Sequence, residues 1–294
     1  MTDDFNSLFE RFIEESKYLK NLSPKTIISY NQAWAVYGRW LGTASNEPEL
    51  KRATKEAVMG LVREAKIKST SINIYGRAIN SYLGWLHREG HTAGRIVVTR
   101  VKELQGVIPT FSDEQVEKIV HYKPALMAIK RVHVIACVIL DIGARIQEAL
   151  HLRRQDIDFD TMLIKITGKG NKERVVPFTM NLRRILWRYI ENRAAPAGDL
   201  VFWQAHGRPL SERNVLDDFY TLCDNLGIRA AKNSFHPLRH TMATNYIRNG
   251  GDAVRLQRIL GHASITTTMK YVHLQTEDLQ RVHDRFSALS QCSR

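Results

Sequence analysis

Apolar side chains recur at helical spacing through the first hundred residues. Near the start of the chain, Phe5, Leu8, Phe9, Phe12 and Ile13 follow one another at intervals that place them on one helical face. A serine followed by a proline then marks a helix start. The pattern predicts four short helices in a compact bundle: one containing Phe5 to Ile13, one opened by Ser23-Pro24 and running through Trp40-Leu41, one from about Lys55 to Ala65, and one from about Thr70 to Gly90.

The helical periodicity lapses between about Thr92 and Pro109. Just beyond it, Ser112-Asp113-Glu114-Gln115 is typical of a capping box, in which the serine and glutamine satisfy backbone groups at a helix start. We therefore predict a helical domain at residues 1–95, a linker at residues 96–109, and a larger domain at residues 110–294.

The larger domain combines helices with a short β-rich region. An apolar helix is expected from about Pro124 to Leu140, and helical spacing returns from Asn181 onward. Between them lie brief apolar runs separated by turns, which favours a small antiparallel sheet. The predicted fold class is mainly α with a small antiparallel β-sheet, or α+β. The runs are Ile157 with Phe159, Leu163 with Ile164 and Ile166, and Val175 with Val176.

Composition points to a polyanionic partner. The 294 residues include 43 Lys and Arg against 30 Asp and Glu, which gives a net charge of +13. Such an excess attracts nucleic acid or an anionic membrane. The sequence contains no uncharged apolar run long enough to span a membrane, and its first residues do not have the layout of a signal peptide. We therefore expect neither membrane insertion nor secretion, and a cytoplasmic location, while nucleic acid and an anionic membrane surface both fit the charge.

Three cysteines, Cys137, Cys223 and Cys292, are odd in number and widely separated. This spacing offers neither a disulfide framework nor a paired-cysteine metal site. Three unpaired cysteines of this kind are consistent with a reducing cytoplasm.

A cluster near the C-terminus carries the candidate chemistry: His236, Arg239, His240, His262 and Tyr271. Arg239 follows His236 by three positions on a helix opened by a proline, so the two side chains share a face. A guanidinium can hold two non-bridging phosphate oxygens, and an adjacent imidazole can bind another or move a proton. The alternative is a surface arginine beside a helix-capping histidine.

His262 and Tyr271 extend this cluster. Gly261 can supply the positive φ that ends a helix from Ala253 to Leu260, and the turn would aim His262 at a site. Tyr271 taken alone is more typical of a core phenol with a satisfied hydroxyl. Because a phenol has a pKa near 10, it becomes a nucleophile only when cations stabilise its anion or a base takes its proton.

Two distant segments would complete a phosphodiester-cleaving site. Gly143-Ala144-Arg145 is a glycine turn that delivers Arg145 at a helix start, where backbone N–H groups favour an anion. Lys169, in Gly168-Lys169-Gly170 between two predicted strands, could protonate the leaving oxygen from a hairpin tip. The alternatives are a salt-bridged surface arginine and an ordinary hairpin turn.

A metal site is not expected. His236 and His240 have the i, i+4 spacing of zinc ligands, but the glutamate of an HExxH motif is absent and position 237 is proline. We expect neither a metal nor any other cofactor.

Four segments, in this order, together resemble the tyrosine recombinase (phage integrase) family: GARIQE, GKGNKERVVP, HPLRHTMAT and LGHASITTTMKYVH. The matches extend from about Pro109 to the end, and the helical first hundred residues are similar to the family's core-binding domain. Asp141-Ile142 and Gln147 depart from the usual family pattern beside the site. Neither departure removes a catalytic group.

The resemblance implies a role for each matching residue. Tyr271 would be the nucleophile, Arg145 and Arg239 the phosphate clamp, and Lys169 the general acid to the 5′ oxygen. His236 would act as acid and base, and His262 as a hydrogen-bond donor to phosphate. Glu148 would support the turn at Arg145. His240 is usually structural in this family and stands outside the catalytic set.

The implied activity is site-specific DNA recombination through a 3′-phosphotyrosyl intermediate, without metal or ATP. The implied partners are double-stranded DNA with recombination sites and a homotetramer on two duplexes, with DNA gripped by both domains. A predicted helix from Leu274 to Leu289 carries an apolar stripe that would dock on a neighbouring subunit or on its own domain. Candidate phosphate contacts are Lys51, Arg52, Lys66, Lys68 and Arg77.

Two alternatives remain open from the sequence. A type IB topoisomerase-like enzyme would use the same side-chain chemistry but would relax supercoils without paired sites. A non-catalytic DNA-binding regulator would keep the fold without cleavage.

Overall fold

The computed structural model describes residues 4–103, 108–168, 170–191, 199–204, 208–228, 235–272 and 283. The chain divides into two compact units, Met1–Gly106 and Val107–Arg294. No helix among the described residues is long and apolar enough to cross a membrane. Lys169 and the predicted helix from Leu274 to Leu289 lie outside these residues.

The described part of the first unit, residues 4–103, contains four helices: α1 (Phe5–Tyr18), α2 (Pro24–Leu41), α3 (Glu47–Glu64) and α4 (Ser69–Arg88). The Ser23 side chain accepts a hydrogen bond from the Thr26 backbone N–H, which caps α2 as the sequence predicts. The predicted start of the third helix near Lys55 is wrong. Asn46 caps α3 well upstream by accepting from the Glu49 backbone N–H at 3.0 Å. The polar stretch before Lys55 concealed this start because its periodic apolar positions are few.

Aromatic side chains form the core of the first unit. Phe9 stacks on Trp34 with ring centroids 4.3 Å apart and meets the edge of Tyr82 at 5.2 Å. The Tyr82 hydroxyl donates to the Phe5 carbonyl at 2.7 Å, so its buried polar atom is satisfied. These contacts join α1, α2 and α4 into one bundle.

The second unit is built around one buried helix. Helix α6 packs against α8, α9 and α10 and buries Val132, Ile135 and Ile139 among other residues. The helices among the described residues of this unit are α5 (Asp113–His121), α6 (Met127–Ile142), α7 (Ile146–Leu150), α8 (Met180–Glu191), α9 (Glu212–Asn225), α10 (His236–Arg248), α11 (Ala253–Leu260) and α12 (Ile265–Val272).

A three-stranded antiparallel sheet lies between α7 and α8, in the order β1 (Ile157–Asp158), β2 (Leu163–Thr167) and β3 (Glu173–Pro177). Ile164 pairs with Val176 and both are buried, whereas alternate positions face outward. The predicted fold class, mainly α with a small antiparallel sheet, is confirmed.

Two glycines shape the chain where the candidate residues lie. Gly143 ends α6 and Gly261 ends α11, each in the left-handed conformation with φ of 64°. A Cβ at Gly143 would lie 2.6 Å from the Leu260 side chain, so the two helix ends approach each other closely. Both turns were predicted from the sequence, and each precedes a candidate site residue.

Candidate active site

Arg145 lies at the start of α7, where the turn after Gly143 delivers it. Its backbone N–H donates to Glu148 Oε2 at 2.9 Å, and its Nη1 donates to Glu148 Oε1 at 2.8 Å. Its Nη2 is 3.5 Å from the Gly261 carbonyl, which is long for a hydrogen bond. Since 42% of the side chain remains exposed, part of the guanidinium stays open to a ligand.

Glu148 is a buried carboxylate that holds two guanidinium groups. Besides Arg145, it accepts from Arg174 Nη1 at 3.1 Å and from Arg174 Nη2 at 2.7 Å. Burial alone would raise the pKa of Glu148, but the hydrogen bonds from Arg174 and Arg145 outweigh it and lower the pKa. Glu148 therefore stays ionised and fixes both arginines.

Arg174 lies on β3 and connects the sheet to α11. Its Nε donates to the Ile259 carbonyl at 2.8 Å, and its side chain is 13% exposed. A Cβ at Gly261 would lie 3.1 Å from Arg174 Cδ, so the absence of a side chain there makes room for this arginine. Arg174 was not among the predicted site residues, although it lies within the GKGNKERVVP segment.

Arg239 is buried on α10, with 5% of its surface exposed. Its Nη1 donates to the Gly143 carbonyl, and its Nη2 donates to the Leu260 carbonyl at 2.7 Å. Burial, followed by the charge of Arg145, lowers the pKa of Arg239 to about 10, which leaves it protonated at neutral pH. The backbone carbonyls that accept from Arg239 are neutral, so they leave its positive charge uncompensated. A buried guanidinium of this kind favours the binding of an anion.

His262 lies directly after the Gly261 turn and contacts Arg239. Arg239 Nη2 is 3.0 Å from His262 Nε2, and His262 Nδ1 is 2.9 Å from Thr268 Oγ1. Because a guanidinium can only donate, Nε2 must accept, and the ring proton of a neutral His262 sits on Nδ1. Burial and the charge of Arg239 lower the pKa of His262 to about 4, so the ring is neutral at pH 7. If a phosphate oxygen took the place of Arg239 Nη2 beside His262 Nε2, its negative charge would favour the protonated ring, which could then donate a hydrogen bond to the phosphate.

Tyr271 lies on α12 with 4% of its surface exposed, packed near Leu256 and Leu260. Its hydroxyl is 2.7 Å from His240 Nδ1. Burial raises the pKa of Tyr271, and the nearby charge of Arg239 offsets this only in part. The phenol is therefore protonated at neutral pH.

His236 and His240 occupy successive turns at the start of α10. Their ring centroids are 6.2 Å apart, and His236 is exposed whereas His240 is half-buried. Burial, followed by the charges of His236 and Arg239, lowers the pKa of His240 to about 4. His240 was not among the predicted catalytic residues, yet it is the side chain in contact with the Tyr271 hydroxyl.

The structure thus brings together Arg145, Arg239, His262 and Tyr271, which lie far apart in the sequence. Three guanidinium groups, from Arg145, Arg174 and Arg239, surround one turn, and Glu148 neutralises one of the three charges. The remaining positive field favours a phosphate near the Gly261 turn. Within the described residues, no group of three or more His, Cys, Asp or Glu is placed to hold a metal ion.

The candidate phosphate contacts of the first unit are all exposed. They lie on α3, on the connection to α4, or on α4 itself. Arg52 is within 3.5 Å of Glu56, and Lys66 is 4.0 Å from Glu64, both on the surface. Such exposed pairs are weak and leave the cations available to a polyanion. The residues are Lys51, Arg52, Lys66, Lys68 and Arg77.

Comparisons with known proteins point to one family. The model of the phage integrase family matches residues 109–278. The tyrosine recombinase XerD of Listeria monocytogenes serotype 4b (strain F2365) is 26% identical over 293 residues, which span 96% of this chain and 98% of the relative. The tyrosine recombinase XerC of Staphylococcus epidermidis is 35% identical over 146 residues, which span 48% of each chain.

Two solved structures share the fold. The Tn1549 transposon integrase, in complex with a circular intermediate DNA, has a TM-score of 0.76 at 16% identity and covers 95% of this chain and 98% of its own. The XerH site-specific recombinase, bound to a palindromic difH substrate after cleavage, has a TM-score of 0.69 at 21% identity. That likeness covers 96% of this chain and 84% of XerH.

Proposed function

The chain belongs to the phage integrase family of tyrosine recombinases, and from that premise we propose that it cleaves and rejoins DNA strands at specific sites with Tyr271 as nucleophile. The Tyr271 oxygen attacks a backbone phosphorus, the bond from phosphorus to the 5′ oxygen breaks, and a 3′-phosphotyrosyl bond forms. The 5′ hydroxyl of another strand then attacks that phosphorus and releases Tyr271. Because the phosphotyrosyl bond retains the energy of the broken linkage, no ATP is required.

The observation that carries this proposal is the convergence of Arg145 and Arg239 on the turn at Gly261. Attack on a phosphodiester gathers negative charge on the non-bridging oxygens, and preorganised guanidinium groups stabilise that charge. Glu148 orients Arg145, while backbone carbonyls orient Arg239. Both side chains are therefore already oriented before the substrate binds.

His262 supplies a further contact to the phosphate. Its Nε2 accepts from Arg239 before DNA binds. When a phosphate oxygen takes that guanidinium hydrogen bond, the negative charge raises the proton affinity of His262, and the ring becomes a donor. Lys169 and the exposed His236 are our candidates for the proton that the leaving 5′ oxygen requires.

The partner that fits this site is double-stranded DNA, and we place phosphate contacts of the first unit at Lys51, Arg52, Lys66, Lys68 and Arg77. Strand exchange needs two duplexes, each cut by two protomers, so we propose a homotetramer as the active assembly. The cytoplasm is our proposed location.

Replacing Tyr271 with Phe tests the nucleophile. We expect the Tyr271→Phe protein to bind a recombination site normally but to form no covalent adduct on a nicked suicide substrate, because the attacking oxygen is gone. Denaturing gel electrophoresis of labelled DNA measures the adduct, and the mass of the uncleaved synaptic complex reports the number of protomers. Candidate sites come from the DNA that flanks the coding sequence.

The matched control is Tyr122→Phe, which removes the hydroxyl of a half-buried tyrosine in the same unit. It should cleave at the wild-type rate. An adduct in the Tyr271→Phe protein would show that another residue attacks.

A further inference from the structure

The contact between Tyr271 and His240 is the closest polar contact of the proposed nucleophile among the described residues, at 2.7 Å between the phenolic oxygen and Nδ1. His240 follows Arg239 directly on α10, and its ring faces α12, where its centroid lies 5.7 Å from that of Tyr271. The imidazole therefore touches the atom that reacts. Neither Arg145 nor His262 has a described hydrogen bond to that oxygen.

The phenol has to lose a proton before or during its attack. Burial raises the pKa of Tyr271, and the charge of Arg239 is too weak to reverse this. The cations of the site consequently do not convert the phenol into phenolate at neutral pH. Some group has to receive the proton as the oxygen bonds to phosphorus.

His240 has a free lone pair for that proton. Burial, followed by the electrostatic effects of His236, Arg239 and Lys270, lowers the pKa of His240 to about 4, so the ring is neutral at pH 7. In the tautomer with its proton on Nε2, the Nδ1 atom accepts the Tyr271 O–H. The Nδ1 atom lies within the distance required of a general base.

Resting on the proposed role of Tyr271, we propose that His240 is a catalytic residue that accepts the Tyr271 hydroxyl proton as the phenolic oxygen attacks the phosphodiester. The O–H bond breaks towards His240 Nδ1, the bond from oxygen to phosphorus forms, and the bond from phosphorus to the 5′ oxygen breaks. A different donor protonates the leaving oxygen. In the rejoining step the incoming 5′ hydroxyl bonds to phosphorus and gives its proton to the group that had protonated the leaving oxygen. The displaced Tyr271 oxygen takes its proton back from His240.

The bound phosphate raises the proton affinity of His240 at the moment of reaction. The neutral ring is a poor acceptor in the free protein because it is partly buried and lies near the positive charges of Arg239 and Lys270. A phosphate held by Arg145 and Arg239 brings negative charge into the same low-dielectric site, which raises the proton affinity of His240 when the reaction occurs. Proton transfer by a positioned side chain accelerates such steps by about 10²- to 10⁴-fold.

Single-turnover cleavage of two suicide substrates tests the proposal. One substrate has the normal phosphodiester, and the other has sulfur in place of the bridging 5′ oxygen, so its leaving thiolate needs no acid. We expect His240→Ala to slow adduct formation by about 10²- to 10⁴-fold on both substrates. A variant that has lost the acid of the leaving group, for which Lys169→Ala is the candidate, should instead recover on the sulfur substrate.

A second variant separates proton acceptance from orientation. His240→Asn keeps an acceptor oxygen near the position of Nδ1 but cannot take a proton, so we expect it to remain as slow as His240→Ala. The control His121→Ala removes an exposed histidine whose Nδ1 contacts its own helix at the Glu117 carbonyl, and it should cleave normally. Site-DNA binding and a cooperative thermal transition show that each variant is folded.

Four outcomes would overturn the proposal. These are wild-type or faster cleavage by His240→Ala, full activity of His240→Asn, recovery of His240→Ala on the sulfur substrate, and a rate loss explained by unfolding in both variants. Faster cleavage would mean that the contact with His240 inhibits attack by the Tyr271 hydroxyl. An adduct in the Tyr271→Phe protein would instead overturn the proposed nucleophile, so the two failures are distinguishable.

Discussion

Arg174 shows how a single side chain can organise a site without standing out in the sequence. It donates two hydrogen bonds to Glu148 and one to the Ile259 carbonyl, so it connects the sheet, α7 and α11. Glu148 in turn holds Arg145. Removing one partner from a buried carboxylate is strongly destabilising. Loss of Arg174 would therefore disturb Glu148, and with it the orientation of Arg145.

At the same scale, the two histidines with depressed pKa values predict how stability depends on pH. In the folded protein the pKa values of His240 and His262 are about 4, against 6.5 in the unfolded chain. Between these values the unfolded state binds more protons, so the free energy of unfolding should fall as the pH drops from about 6.5 to about 4 and level off for these groups below that. Urea denaturation across this range measures it.

Replacing His262 with Gln removes one of these titrations while keeping a polar side chain, so the loss of stability on acidification should become smaller. Glu148, whose pKa is lowered from its usual 4.5, adds a further loss of stability as the pH falls below about 4.5. The exposed His121→Gln variant is the control and should follow the wild-type curve. An unchanged pH slope in His262→Gln would show that this ring titrates normally in the folded state.

At the scale of elements, the end of α11 matters because its turn gathers several groups. The carbonyls of Ile259 and Leu260 accept hydrogen bonds from Arg174 and Arg239, and the Gly261 carbonyl lies 3.5 Å from Arg145 Nη2. The turn also places His262 against Arg239. The last carbonyls of a helix have no partner within the helix. Here guanidinium groups donate to them, so the same hydrogen bonds satisfy the helix end and hold the arginines of the phosphate clamp in place.

Replacing Gly261 with Ala tests this role of the turn. A side chain at φ of 64° costs about 1–2 kcal/mol of stability, and its Cβ would lie 3.1 Å from Arg174. We expect both a lower unfolding midpoint and a cleavage rate reduced on the order of tenfold to a hundredfold, because the clamp is displaced. Denaturation and single-turnover cleavage measure the two effects.

Gly227 provides the matched control. Its φ is 65°, and a Cβ there would meet nothing within 4 Å. Gly227→Ala should therefore lose similar stability but keep the wild-type cleavage rate. Equal rate losses in the two variants would mean that general destabilisation, and not the clamp, accounts for the effect.

At the scale of the whole molecule, charge is the property that both units share. The chain carries a net charge of +13, and exposed cations occur on the first unit as well as around the site of the second. Phosphate contacts release counterions, so affinity for DNA falls linearly with the logarithm of salt concentration. We expect each lost contact to reduce that slope by about one.

Arg77, exposed on α4, is a direct test of this expectation. Arg77→Ala should weaken DNA binding similarly for all sequences and reduce the salt slope by about one. Arg11→Ala is the control because it removes the same charge from α1, where Arg11 lies 3.5 Å from Glu15. Fluorescence anisotropy at several salt concentrations measures both slopes. Identical slopes for Arg77→Ala and the wild type would remove Arg77 from the DNA surface.

The sequence by itself determined the helices, the small sheet and most of the candidate site. Periodicity, caps and the glycines at Gly143 and Gly261 are local signals, and the motifs name residues by type and spacing. Apolar periodicity misses a helix start where few apolar residues follow it, as after Asn46.

Only the tertiary structure decided which groups touch. It paired Arg174 with Glu148, set the ring proton of His262, and placed His240 against Tyr271 in preference to the arginines. Spacing along a helix specifies the face on which a side chain lies, whereas its partner depends on how separate helices pack. Contacts such as that from Arg174 to Ile259 join residues far apart in the chain, so no local pattern encodes them.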